Sequence, residues 1–510
     1  MKKKAWLAAA LAGVLMVGTL AGCTSGGGGG NGGDAAEKDT LVFVSHMSSE
    51  SFDTINNTMY DKNVMHQVYD TLTAFDNEGN IIPNLAESWE ETEDNHGYIF
   101  HLREDVTFHD GTPFNADAVI FTLTKLKEST ANAWLFSSIG EFSKIDDYTV
   151  RIDKATAYTK LLNFLAEYPF IVSPTAYESD PDHLANKPVG TGAYVFNNLG
   201  SDGYVYLDSN PDYFKGEPYY KHLVIRTPLD SSTAVMALQN GEVDIAIALA
   251  ANQIPVVEKD ANLVAEVSDA WSIKYVAMEG DRFQNDENLR KAVYYAINRE
   301  NAITFNNEPE GTPVATDFYA KRIMGDYAGK VDIGGYDPDL AKEYLAKSNY
   351  DGGTIKLTIS QDLSNIAQAV QADLSAVGIN TEIVQVDMNA YYAAMQDGTC
   401  ELTIADMGTD YLSAEDMLFY YTSGGTYGPY VYTNDEFDAL YQQLTQLWDD
   451  AEREPVALEA IEMQVGFANL VPLYESNFNF VHRADLTGFN PISGGTYVYY
   501  LGDVKPADAE

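Results

Sequence analysis

Apolar positions recur along this chain with two periods. Tyr98, Phe100 and Leu102 alternate with Ile99, His101 and Arg103, the period of two that a strand with one packed face requires. Val106 and Phe108 alternate in the same way and predict a second strand, with Asp110-Gly111 as a turn beyond it, because Gly tolerates positive φ and Asp bonds its own backbone. Ala116, Val119, Ile120, Leu123 and Leu126 then form the apolar stripe of a helix. Asn115 can cap it, and Asp117 sits in the first turn, where the helix dipole favours an anion.

The same reading extends to both sides. Leu41 to Val44 is a short β-branched strand, followed by a polar loop, Ser45 to Ser51, and a helical segment toward Val68 and Leu72. Leu223 to Thr227 is a strand, Ser231 or Ser232 caps a helix containing Val235 and Leu238, Gly241 ends it, and Val243 to Ile247 is the next strand. Strand, helix and strand in that order predict a parallel right-handed crossover. Further on, Glu287 to Arg299 reads as one helix with Asp286 as cap, and Tyr336 to Ser348 as another with Asp337-Pro338 at its start. Ile355, Leu357 and Ile359 alternate, Ile366, Val370, Leu374 and Val377 form a stripe closed by Gly378, and Ile379 to Val386 returns as a strand. Leu402 to Ile404 is one more strand, Glu436 to Asp449 a helix, and Phe478 to Val481 a return crossover. At 510 residues the chain exceeds what one core serves, so two or three domains are expected.

Leu85 to Trp89 (LAESW), Leu102-Arg103, Val106 to Pro113 (VTFHDGTP) and Ala116 to Val119 occur in this order. The series resembles the signature of the bacterial extracellular solute-binding proteins of family 5, the oligopeptide, dipeptide and nickel receptors of ABC importers. Lys187 to Phe196 (KPVGTGAYVF), the stretch from Asn210 and the helix NLRKAVYYAINRE resemble further family elements. Three departures are visible: Asp117-Ala118 where the family has Glu-Asp, Ala193 where Pro is commoner, and Met278 to Asp281 in place of an Asn-containing strand end. Gly190 and Gly192 fit a tight turn feeding a strand, since a lone Gly-x-Gly is too weak to mark a phosphate site.

The resemblance implies an α/β fold of the periplasmic-binding-protein type. It has two lobes, an additional domain inserted in the first lobe, and a ligand cleft between the lobes. On this basis residues 40–73, 189–268 and 478–510 form the first lobe, 74–188 the additional domain and 269–477 the second lobe. The first 22 residues are a lipoprotein signal peptide: Lys2 to Lys4 give a positive start, Ala5 to Leu20 an apolar run, and Leu20-Ala21-Gly22-Cys23 a lipobox. A spanning helix is the alternative, but the run falls short of the ~18 to 20 apolar residues a span needs. Residues 23–39 are the lipidated Cys23 and a Gly-rich tether that reaches about 20 Å as a random coil.

Charge narrows the partners. The 31 basic residues face 76 acidic ones, a formal net charge of −45, so nucleic acid is excluded as a natural partner and anionic headgroups would be repelled. A solvated acidic surface accounts for the excess better than attraction of a cationic ligand, because no single ligand requires so many charges. With Cys23 consumed by lipid, Cys400 has no partner for a disulfide and reads as a small buried residue rather than a nucleophile.

The loop after Leu402 to Ile404, ADMGTDYLSAED, is the expected recognition element, because ligands of open α/β sheets sit outside the carboxyl ends of strands. Peptide receptors of the family carry W-x-x-D-Y-x-x-P here, and the Asp meets the peptide α-ammonium. This chain keeps Asp410-Tyr411 with Met407 and Ala414 in the flanking places, and a solvated loop acid is the competing reading. Tyr427 and Tyr430, in GGTYGPYVY, offer rings for a pocket or for lobe packing, as do Trp271 and Trp134. The family places the loop after the first strand toward the ligand, which makes Ser45 and His46 candidates beside the plain reading of a strand-to-helix connection.

No H-E-x-x-H, G-x-S-x-G or C-x-x-C occurs, so no catalytic residue, metal site or cofactor is expected. The expected function is a monomeric, lipid-anchored receptor on the extracytoplasmic face of the cell membrane. It would deliver a small solute, foremost a peptide, to the permease subunits of an ABC importer. A nickel or metal-chelate receptor and an exported hydrolase are the alternatives.

Overall fold

Three sheets carry the architecture. In the computed structural model, the described residues are 38–49, 51–57, 61–132, 138–180, 183–267, 272–308, 311–360, 363–386, 390, 394, 399–408, 413–425, 427–489 and 498–509. Cys23 and its leader, Trp134, Trp271, Asp410 and Tyr411 lie outside them. Asp39 to Glu510 form one compact unit.

The first lobe is built on a seven-stranded sheet. Its order is Leu263–Val267, Asn479–Arg483, Ile245–Ile247, Thr40–Val44, His222–Arg226, Val205–Ser209 and Tyr194–Leu199. Thr40–Val44 lies between two parallel neighbours, His222–Arg226 and Ile245–Ile247. The helix Ser231–Gln239 therefore joins two strands on opposite sides of it, the parallel unit expected from the sequence. Asp230, rather than Ser231 or Ser232, caps this helix and accepts from the Thr233 backbone N–H at 3.0 Å. Ser231 Oγ is engaged elsewhere, accepting from the Ala250 N–H at 2.9 Å.

The inserted part is a four-stranded antiparallel sheet ordered Ala86–Glu91, Gly97–Leu102, Thr149–Lys154 and Ile139–Asp146. The helix Ala116–Glu128 follows the expected pattern, with Asn115 accepting from the Asp117 and Ala118 N–H groups. Residues 106–108 do not form the expected strand. Both edges of Gly97–Leu102 are taken by Ala86–Glu91 and Thr149–Lys154. The segment instead pairs with itself across Gly111, which has φ +81°: Phe108 N–H donates to Thr112 O and Phe114 N–H to Val106 O. Val106 and Phe108 still bury their side chains. One apolar cluster runs from Leu41 and Phe43 of the seven-stranded sheet to Phe100 and Val150 of this one.

Gly190 and Gly192 are needed for close approach rather than for positive φ. A Cβ added to Gly190 would lie 2.2 Å from Val68 O, and one added to Gly192 would lie 2.4 Å from Gln67 O, at the end of the helix Lys62–Val68.

The second lobe has a five-stranded sheet ordered Thr381–Gln385, Ile355–Ile359, Leu402–Gly408, Ser272–Met278 and Leu470–Ser476. Ile355–Ile359 is parallel to Thr381–Gln385, and Gly378, with φ +96°, closes the intervening helix Ser364–Val377. The helix expected over 287–299 is two helices. Glu287–Ala296 is capped by Asp286; Ile297 is then extended, and Asn298 caps Arg299–Phe305. Leu470–Ser476 escaped the pattern because it is buried at every position and contains Pro472. As the sheet's edge strand it tolerates the missing N–H. Among the described residues, no helix is long and apolar enough to cross a membrane.

Candidate functional site

Among the described residues, consecutive strands change lobe twice, from Leu263–Val267 to Ser272–Met278 and from Leu470–Ser476 to Asn479–Arg483. Ser272 and Ser476 are register partners at the ends of adjacent antiparallel strands. Gly408 is the register partner of Ser272 on the other side. Gly408, the last described residue before 409–412, therefore stands at the crossover end of the second lobe.

On the first lobe, the carboxyl end of Thr40–Val44 meets the start of the helix Lys62–Val68 in a buried polar network. Asn63 Nδ2 donates to Ser45 Oγ at 2.9 Å and to Asp61 Oδ1 at 2.8 Å, and lies 3.1 Å from His46 Nδ1. Asp61 also caps the helix by accepting from the Asn63 N–H. Burial pushes the Asp61 carboxyl up to about 6 against the hydrogen bonds of Ser45 and Asn63. Burial, reinforced by the Lys62 charge, pushes His46 down to about 3, so its imidazole is neutral at physiological pH.

Lys62 ties this network to the inserted part. Its Nζ lies 2.9 Å from Glu167 Oε2 and 4.9 Å from the centre of the Tyr168 ring. Burial pulls the ammonium down, but the Glu167 carboxylate outweighs this and holds it above its usual range. The Lys62 side chain remains 20% exposed while Glu167 is wholly buried. Ser45 and His46 thus come together with Lys62, Glu167 and Tyr168, which the sequence reading missed. Lys62 and Glu167 are 105 residues apart, and no local signal links them.

The second lobe contributes Asp416 and a group of tyrosines. Ser413 and Asp416 form a capping box on the helix Ala414–Phe419. Burial pushes the Asp416 carboxyl up to about 7, with Glu415 adding to the effect and Ser413 and Lys160 opposing it. Tyr427 is half-buried, its ring 5.9 Å from that of Tyr420 and 5.6 Å from that of Tyr421. Tyr430 closes the turn that begins at Tyr427, its N–H donating to Tyr427 O at 2.9 Å. Its carbonyl accepts from the Gly280 N–H at 2.9 Å, beyond Met278 and at the end of that strand away from Ser272. Cys400 is buried, and burial together with Glu279 pushes its thiol up to about 11, away from the reactive thiolate. Among the described residues, no cluster of three or more His, Cys, Asp or Glu side chains is arranged to hold a metal ion.

A two-lobe body, with strand ends and loops converging where the chain crosses over, is the architecture of a binding protein that closes on a solute. The family model of the bacterial extracellular solute-binding proteins, family 5, matches residues 80–429, and the chain belongs to that family. It is 28% identical over 396 residues to di/tripeptide-binding protein 2 of Pseudomonas aeruginosa, covering 69% of this chain and 73% of that protein. It is 27% identical over 481 residues to the glutathione-binding protein GsiB of Escherichia coli K12, covering 89% and 92%. Among solved structures, the periplasmic binding protein DppA of Helicobacter pylori, in complex with the peptide STSA, superposes with a TM-score of 0.77 at 25% identity. That match covers 92% of this chain and 98% of DppA.

Proposed function

We propose that this protein is the receptor component of an ABC importer that captures a peptide between its lobes and delivers it to the membrane permease. The observation that supports this reading is the register of Gly408, the last described residue before 409–412, with Ser272 at the crossover end of the second lobe. To Asp410 we assign the ligand's α-ammonium, and to Tyr411 and Trp271 further contacts with the same ligand. Ser45 and His46, set at the carboxyl end of a central strand, form the opposite wall. Tyr427 extends the second-lobe wall, and Tyr430 supports the turn that carries it. Relatives named for di/tripeptides and for glutathione, itself a peptide, support the choice of solute class.

In this reading residues 1–22 are removed, Cys23 carries lipid, and 24–39 tether a monomeric body to the outer face of the membrane. Residues 40–73, 189–268 and 478–510 make the first lobe, 74–188 the inserted domain and 269–477 the second lobe. The protein binds its solute without converting it and needs no cofactor. Mass spectrometry of ligand retained through purification tests the solute class: recovered peptides support it, and a nickel chelate with no peptide overturns it. Palmitate label that enters the wild type and not Cys23→Ser supports the anchor, and equal labelling contradicts it.

A further inference from the structure

The inserted sheet meets the second lobe along an aromatic seam. Tyr158 lies in the turn between the strand Thr149–Lys154 and the helix Leu161–Glu167. Its side chain is only 7% exposed and belongs to the second lobe's apolar cluster, with Met417, Leu418 and Phe437. Its hydroxyl donates to Tyr441 Oη at 3.4 Å. Beside it, the rings of His96 and Trp448 meet at a tilt of 33° with centroids 4.0 Å apart. The two turns sit at the same end of the inserted sheet, since Lys154 N–H donates to His96 O at 2.7 Å. Their partners also sit together: Tyr441 is on the helix Asp435–Leu444, and Trp448 is in the turn after it.

Among the described residues, the strands that flank the two crossings are Leu263–Val267 with Ser272–Met278 and Leu470–Ser476 with Asn479–Arg483, and none of them carries Tyr158, His96, Tyr441 or Trp448. The contacts can part without breaking a strand or helix. Parting them would return the Tyr158 ring to water, and burying a large ring in an apolar cluster is strongly favourable. Contacts made only in the closed state shift the population toward it and slow the opening that must precede solute release.

We infer that Tyr158 is a closure clasp, a positioning residue of the inserted domain that plugs the second lobe when the protein closes and so sets how long the solute stays. This rests on the solute-capture reading given above. Two measurements on the full-length protein test it. In Tyr158→Ala as purified, hydrogen exchange at amides 438–448 of the second lobe is expected to rise at least tenfold. Exchange at 355–359 of the same lobe should stay unchanged, and Tyr158→Phe should stay near wild type. With trialanine as the probe, the peptide should dissociate at least tenfold faster from Tyr158→Ala, with association altered less than twofold. Unchanged exchange at 438–448, or a rise spread over the whole protein, overturns the clasp, as does an unchanged dissociation rate. A wild type that does not bind trialanine counts against the peptide reading alone, and the exchange measurement then decides the clasp.

Discussion

Ser272 Oγ and Ser476 Oγ lie 2.7 Å apart, both side chains buried, at the paired ends of the two strands through which the chain passes between the lobes. The hydrogen bond ties the crossovers to each other on the second-lobe side of the hinge. Ser272→Ala would leave the Ser476 hydroxyl buried without its partner, a loss of about 1 to 3 kcal/mol. Replacing both by Ala should cost less than the two single losses added together, which urea unfolding of the four proteins would show.

Lys62 and Glu167 form an ion pair in which the carboxylate is wholly buried. Removing the cation takes away the charge that balances this carboxylate, so Lys62→Met should lose about 3 to 5 kcal/mol in urea unfolding. The double change Lys62→Met with Glu167→Leu should recover most of the loss, because neither half of the pair then leaves a charge behind.

Glu279 gives the stability a pH signature. It is 4% exposed, its Oε2 has no partner among the described residues, and burial pushes its carboxyl from 4.5 up to about 7 against one hydrogen bond from Thr403. The folded protein therefore keeps a proton there, between about pH 4.5 and 7, that the unfolded chain gives up. This group's contribution is neutral below pH 4.5, turns unfavourable as pH rises through the window, and is fully unfavourable above pH 7, by about 3 kcal/mol. Glu279→Gln should remove that dependence. The gap between unfolding free energies at pH 8 and pH 4.5 should shift by about 3 kcal/mol relative to wild type.

Much of the fold was legible because its determinants are local. Asn115, Asp286 and Asp337 each cap the helix that the apolar stripe after them predicts, and Gly378 closes its helix in the left-handed conformation. The readings that failed depended on distant partners or on a competing neighbour. Residues 106–108 have a strand's alternation but find both edges of Gly97–Leu102 occupied. Ser231 has a capping side chain, but Asp230 stands one place earlier and takes the role. Candidates for the site came from local position, and the long-range contacts around them did not. Ser45 and His46 are candidates from their place after the first strand, whereas Lys62 with Glu167 and Tyr158 with Tyr441 meet across 105 and 283 residues. No periodicity or spacing registers contacts of that range.

The central claim is that a peptide is held by its amine. Calorimetry should compare trialanine with N-acetyl-trialanine on the wild type and on Asp410→Asn. A carboxylate facing a desolvated ammonium forms a charge-assisted bond, and truncating one partner of such a pair costs ~2 to 5 kcal/mol. Trialanine should therefore bind wild type and lose roughly thirtyfold or more in affinity to Asp410→Asn. The acetylated peptide should bind wild type poorly and be nearly indifferent to the substitution. Equal effects on both peptides, or no binding of either by the wild type, would contradict the account.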